Sequence, residues 1–297
     1  MRNEYQELLK PEIINSIKGL ELISRVVVDS YLAGLNKSRR VGAGQEFSQY
    51  RSYEPGDDLR LLDWKMLARS SRYYIKQSEI ETNISVKFIL DTSRSMLHTE
   101  EKVTKMDYAR VLIASIGYLA QHQGDALGLF AVSDERIHTL YPRVDKRHFN
   151  RFLHQLVQVE GHGRWPEVSQ VAHLHDRRHK ELIIFVTDMY EYGSELSEFL
   201  RKQKTSRNEI LVIRLMGRNE LELNYSGVVS VEDLETGERI KVDIGDAKST
   251  YIGSITSFNQ ELRQKMLEMG IGYHLFILDE PLEEILTTFL KRRKLLL

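Results

Sequence analysis

The stretch FILDTSRSM, Phe88–Met96, runs from apolar residues into an aspartate and then two serines at alternate positions, Asp91-x-Ser93-x-Ser95. A short apolar run bounded by turn-forming residues is the pattern of a buried strand. In open α/β sheets, ligands bind beyond the carboxyl ends of such strands. One carboxylate and two hydroxyls on a short loop are the hard oxygen donors that Mg²⁺ takes. The same residues also read as a strand end followed by a serine-capped helix. A second run, IIFVTDMYE (Ile183–Glu191), ends on Asp188 in the same setting. If the two strands are neighbours, both carboxylates face one crevice.

Outward from these two runs the texture repeats. Apolar runs at 85–90, 126–132, 181–186, 209–216 and 273–278 alternate with helical spacing at 105–122, 146–158, 193–204, 254–269 and 281–293. Such alternation predicts an α/β fold: a mostly parallel six-stranded sheet with helices on both faces. The run IHTLY, Ile137–Tyr141, follows its predecessor too closely for a helical crossover and reads as an antiparallel edge strand. Around Glu235-Thr236-Gly237 the alternation of apolar and polar residues marks a β-hairpin insertion, about 225–246. Ile13, Ile17, Leu20, Ile23, Val27 and Tyr31 recur at helical spacing upstream. The expected organisation is a main domain over 82–297, with an N-terminal helix and an Arg/Asp-rich segment, 1–81, packed on it.

The chain of 297 residues carries 42 Lys and Arg against 43 Asp and Glu, so bulk attraction to nucleic acid or anionic membrane is disfavoured. It has no cysteine, which excludes disulfides, thiolate metal sites and cysteine nucleophiles. The N-terminal stretch bears charges throughout, and no run approaches the roughly 18 apolar residues of a membrane span. These features predict a cytoplasmic protein.

The D-x-S-x-S-M strand end, the later T-D strand end and the alternating elements resemble the von Willebrand factor type A domain, whose fold carries a metal-ion-dependent adhesion site. The stretch SRRVGAGQEFSQYRSYEPGDDLRLLDWKMLARS, Ser38–Ser70, resembles the signature of family fifty-eight of the domains of unknown function, and the hairpin EDLETGE (Glu232–Glu238) fits the same family. The resemblance implies a metal set of Asp91, Ser93, Ser95 and Asp188, with Mg²⁺ as the ion. A type A domain usually adds a threonine from a glycine-rich loop. Here that loop is EGHGRWPEV, Glu160–Val168, and the threonine's place falls at or beside Arg164. A guanidinium about 6 Å from a divalent cation, at an effective dielectric near ~20, is repelled by roughly 5 kcal/mol. Mg²⁺ is therefore expected to bind weakly or not at all. Either Arg164 turns to solvent, or it stands inward as a protein-supplied cation paired with Asp91 or Asp188. The resemblance further implies a non-catalytic adaptor or chaperone-like role beside a MoxR-type AAA+ ATPase and its client proteins.

Within the signature, Arg51, Tyr53, Asp57, Asp58, Arg60, Asp63, Trp64 and Arg69 read as a structural network of ion pairs and turns. The alternative is a nuclease-like site on Asp57, Asp58, Asp63 and Lys65. A nucleic-acid surface over 50–76 would draw on Arg72 and Lys76, with Lys37, Arg39 and Arg40 beside it and Tyr50, Tyr53, Tyr73 and Tyr74 for stacking. The interleaved acids weigh against it. His175 and His179 lie four apart beside Asp176, a spacing that suits zinc on a helix, but a solvated basic helix accounts for them without a third ligand. No P-loop, dinucleotide fingerprint or G-x-S-x-G elbow occurs in the sequence.

Overall fold

The computed structural model describes residues 11–38, 49–53, 64–70, 72–77, 84–100, 102–171, 180–191, 193–280 and 282–296. The chain divides into two units, one of Met1–Tyr31 with Asn83–Leu297, the other of Leu32–Thr82. In the smaller unit, β1 (Gln49–Ser52) pairs antiparallel with β2 (Tyr74–Gln77), and a helix covers Trp64–Ser70. Arg51 stands opposite Ile75 in this ladder. The rings of Tyr53 and Tyr73 close its end, their centroids 6.1 Å apart.

In the larger unit, short apolar runs separated by helices give the parallel pairing that helical crossovers require. The strands in chain order are β3 (Ser85–Asp91), the two-residue pair β4 (Thr99–Glu100) and β5 (Val103–Thr104), β6 (Ala126–Val132), β7 (Ile137–Arg143), β8 (Glu181–Thr187), β9 (Asn208–Met216), β10 (Val228–Glu232), β11 (Arg239–Asp243) and β12 (Gly272–Ile277). Six of them form the main sheet in the order β12-β9-β8-β3-β6-β7. All neighbours in it are parallel except β6 and β7. Only Ser133–Arg136 separate those two, too short a span for a helix to cross the sheet. A bulge interrupts the β6–β7 register between Leu127 and Leu129. There Pro142 lies so close that a Cβ on Gly128 would stand 2.8 Å from its ring.

Alternate residues of each strand feed two cores. On one face Ile89, Phe130, Phe185 and Val212 pack with Leu196, Phe199 and Leu200 of the Glu195–Gln203 helix and Leu262 and Met266 of the Ile244–Glu268 helix. On the other, Phe88 meets Phe152 of the Lys146–Gln158 helix at 5.5 Å, and Phe276 meets Tyr108 of the Lys105–His122 helix at 5.3 Å. The α/β class, the six strands and the antiparallel edge are those the sequence predicts.

Two helix bounds differ from the sequence reading. The helix expected at 254–269 begins at Ile244, because Asp243 caps it by accepting from the Gly245 amide at 2.9 Å. Its first half lies mostly on the surface and so shows no apolar period. The N-terminal helix is broken at Ser16, whose hydroxyl donates to the Ile13 carbonyl and accepts from the Gly19 amide. Among the described residues no helix is long and apolar enough to cross a membrane.

The sheet also buries an ion pair between Lys87 of β3 and Glu181 of β8, side chains 4% and 1% exposed. Removing one member of such a pair strands a charge, whereas replacing both with apolar groups is often neutral. Lys87→Met is expected to destabilise by about 3–5 kcal/mol. The double change Lys87→Met with Glu181→Leu should recover most of that loss. Urea unfolding of the three proteins checks it; equal loss in the single and double variants would mean that packing, not charge, dominates there.

Candidate functional site

Because β3 and β8 are adjacent and in register, with Leu90 opposite Val186, their last residues reach the same edge of the sheet. Asp91 ends β3, wholly buried, and Thr187 ends β8. The Thr187 hydroxyl donates to Asp91 Oδ2 at 2.7 Å, and the Ser93 amide donates to Asp91 Oδ1 at 2.9 Å. Ser93 and Ser95 hydroxyls lie 3.0 Å apart, and Ser95 donates to Asp188 Oδ1 at 3.2 Å. Asp91, Ser93, Ser95 and Asp188 thus converge. The chain leaves Asp188 through Met189 at φ 57, a left-handed conformation uncommon for a residue with a Cβ. That turn aims the Tyr190 amide back at Asp188 Oδ1, 3.1 Å away, and the Met189 amide at Thr187 Oγ1, 2.9 Å away. Strain of this kind is commonest where a site needs it.

The charge partner of Asp188 is Lys105. Its ammonium, 3% exposed, donates to Asp188 Oδ2 at 3.0 Å and to Glu220 Oε1 at 2.7 Å. Lys105 is the first residue of its helix, whose cap is Thr104 accepting from the Asp107 amide. A cation at a helix N-terminus opposes the helix dipole, so the two carboxylates are what hold it there. Burial alone would raise Asp188, but Lys105 beside it holds the carboxyl below its ordinary value. Burial would likewise lower Lys105, and Asp188 with Glu220 raises it instead. Arg214 adds a donor to the Asp188 carbonyl at 2.9 Å and lies over the Phe258 ring.

Among the described residues no cation is paired with Asp91. Burial first, and the Asp188 charge second, push its carboxyl up to about 6, against the hydrogen bonds from Ser93 and Thr187. A third acid arrives from the β10–β11 hairpin. Glu235 is only 9% exposed, and burial together with the Asp91 and Asp188 charges pushes it up to about 7. Two carboxylates, two hydroxyls and surplus negative charge are the donor chemistry of a small hard divalent cation. Among the described residues no group of three or more His, Asp or Glu is spaced to hold a metal, so the hydroxyls are needed to complete any such set.

Arg164 is exposed; its amide donates to Asp134 Oδ1 at 2.9 Å and its carbonyl accepts from the Asp134 amide at 2.8 Å. The loop is fixed over the site by backbone bonds: Arg94 to the Gly163 carbonyl and His162 to the Thr92 carbonyl. The cation beside Asp188 is therefore a lysine from a helix start, which the sequence marks only by a basic residue where acids are favoured. Thr187, Glu220 and Glu235 also escaped the sequence reading as site residues. Of the signature residues, Arg51 lies in β1, Tyr53 follows it, Trp64 opens a helix and Arg69 is exposed near that helix's end. Asp57, Asp58, Arg60 and Asp63 lie outside the described residues, as do His175, Asp176 and His179.

The family described as "Protein of unknown function DUF58" matches residues 49–252, well over half of the chain. An uncharacterised protein of Mycobacterium tuberculosis (strain H37Rv) is 23% identical over 231 residues, spanning 76% of this chain and 72% of the relative. Among solved structures, an aerotolerance-related membrane protein of Bacteroides fragilis aligns with TM-score 0.47 at 13% identity, over 71% of this chain and 99% of that one. The type A domain of SpRpn10 aligns with TM-score 0.41 at 12% identity, over 70% of this chain and 95% of that one.

Loss of Lys105 tests the electrostatics directly. Lys105→Met is expected to lower stability by about 3–5 kcal/mol near neutral pH, because Asp188 is left buried without its cation. Asp188 has a folded value below its unfolded one, so the pair stabilises above the ordinary carboxylate range and the benefit is lost as pH falls. The deficit of the variant should therefore shrink in acid. Denaturant unfolding at the two pH values decides; a deficit of the same size in both would rule out charge pairing as the cause.

Proposed function

We propose that this chain, which belongs to the DUF58 family, is a non-catalytic protein-binding adaptor that uses the Asp91–Asp188 edge of its sheet as a recognition site. The observation that carries this reading is the convergence of Asp91, Ser93, Ser95 and Asp188 at adjacent strand ends, with more buried negative charge than Lys105 neutralises. These four residues would hold Mg²⁺, and the ion when bound would offer an open position to an acidic side chain of a partner. Two residues beyond Ser95 and beyond Asp188, Leu97 and Tyr190 are each 41% exposed, and Leu234 on the hairpin turn is 39% exposed. A polar centre with an apolar surround suits a protein partner better than a small substrate.

By the sequence resemblance, the partner is a MoxR-type AAA+ ATPase together with the client proteins it acts on. The chain itself has no nucleotide-binding loop in its sequence, so the energy source in such an assembly is the partner's. A cytoplasmic setting follows from that pairing.

Two measurements test the reading together. Calorimetry with Mg²⁺ should show weak binding in the wild type and none in Asp91→Ala. Tagged protein in native extract should retain an AAA+ ATPase in Mg²⁺ and release it in chelator or after Asp91→Ala, while the purified chain hydrolyses no ATP. Equal retention by folded Asp91→Ala protein would remove the site from the function. Tight, Mg²⁺-dependent cleavage of nucleic acid would replace the adaptor reading altogether.

A further inference from the structure

The β10–β11 hairpin inverts the ordinary order of burial. Three of its apolar residues face water, Val228 65% exposed, Ile240 62% and Val231 43%, while the acid at its turn, Glu235, is 9% exposed. The hydrophobic effect gives no reason to bury a carboxylate and leave valines outside. Something specific must hold the turn down. Asp233 organises it, its Oδ1 accepting from the Glu235 amide at 2.8 Å and the Thr236 amide at 3.2 Å. Gly237, at φ 75, lets the chain return, its amide donating to the Asp233 carbonyl at 2.7 Å. The same Asp233 is tied to the site, because the Tyr190 hydroxyl donates to its Oδ2 at 2.8 Å and Tyr190 stands two residues beyond Asp188.

With the turn held there, Glu235 is buried within the field of Asp91 and Asp188. Its Oε1 is buried and has no hydrogen-bond partner among the described residues. A buried carboxylate oxygen without a donor is costly, the more so in the field of two further carboxylates, Asp91 and Asp188. The hairpin thus carries an acid on a short, preorganised turn to the sheet edge at which the proposed function receives a partner's acid.

We propose that Glu235 is a built-in occupant of the site, holding in cis the position that an acidic side chain of a partner would take. This rests on the cation-dependent reading above and adds its regulation: the hairpin tip must lift before a partner binds. It also specifies the partner's chemistry, an acidic residue on a turn with an apolar neighbour, as in Leu234-Glu235. A tethered ligand of this kind acts at an effective concentration in the millimolar range. A competitor in trans then binds more weakly by the fraction of time the tip is up.

The test uses the full chain, Mn²⁺ as the metal, and a fluorescent peptide DLETGE that copies Asp233–Glu238. In one variant the turn Asp233–Glu238 is replaced by Asn-Gly, which suits a two-residue connection between Glu232 and Arg239, paired in the ladder. In Mn²⁺, the peptide should bind this variant at least about tenfold more tightly than the wild type. A peptide with Gln in place of the Glu that copies Glu235 should bind neither. Glu235→Gln, a milder change, should raise amide exchange across Val228–Asp243 in Mn²⁺ while the main sheet stays protected. Equal peptide affinity for wild type and shortened variant, or no peptide binding to the shortened variant, overturns the proposal, as does unchanged exchange in Glu235→Gln. Mn²⁺ binding alone separates the two levels. If the wild type takes up no Mn²⁺, the reading of the site itself fails; if Mn²⁺ binds and Asp91→Ala abolishes it while the peptide does not discriminate, only the cis-occupant idea fails.

Discussion

Two carboxylates buried side by side at the ends of adjacent strands repel each other, and the rest of the site answers that repulsion. Lys105 neutralises Asp188 directly. Among the described residues Asp91 is met by dipoles alone, the Ser93 amide and the Thr187 hydroxyl, and burial with the Asp188 charge raises its proton affinity against them. The strained turn at Met189, the helix that starts on a lysine and the glutamate brought down by a hairpin all gather around these two side chains. An arrangement that leaves so much unpaired negative charge is poised for a positive partner, whether an ion or a proton.

The fold was largely legible in the sequence because sheet strands buried on both faces must be short apolar runs, and these stand out against the charged helices. Register supplied the rest. Once β3 and β8 are neighbours, Asp91 and Asp188 have to share an edge, so that half of the site could be anticipated from two strand ends. Lys105, Glu220 and Glu235 could not, since each reaches the crevice through a tertiary path: a helix start, a short helix after β9, and a hairpin turn. No local periodicity records where such a path ends. The helix start at Ile244 was hidden for a related reason, because a helix half in water has no apolar stripe to display.

Of the two orientations that the sequence leaves open for Arg164, the fold takes the outward one, the Asp134 side chain and backbone holding the loop with Arg164 exposed. Gly163 makes this possible: at φ 58 it turns the chain where a Cβ would collide with Asp134. A positive charge is still present beside Asp188, delivered by another element.

The bulge between β6 and β7, with Pro142 against Gly128, also bears on how the molecule can assemble. A row of evenly spaced amides and carbonyls along an outer strand invites another chain to add itself to the sheet. On β7 that row is interrupted, because proline offers no N–H and the bulge breaks the spacing. Growth of the sheet by strand addition is thereby discouraged on the β7 side.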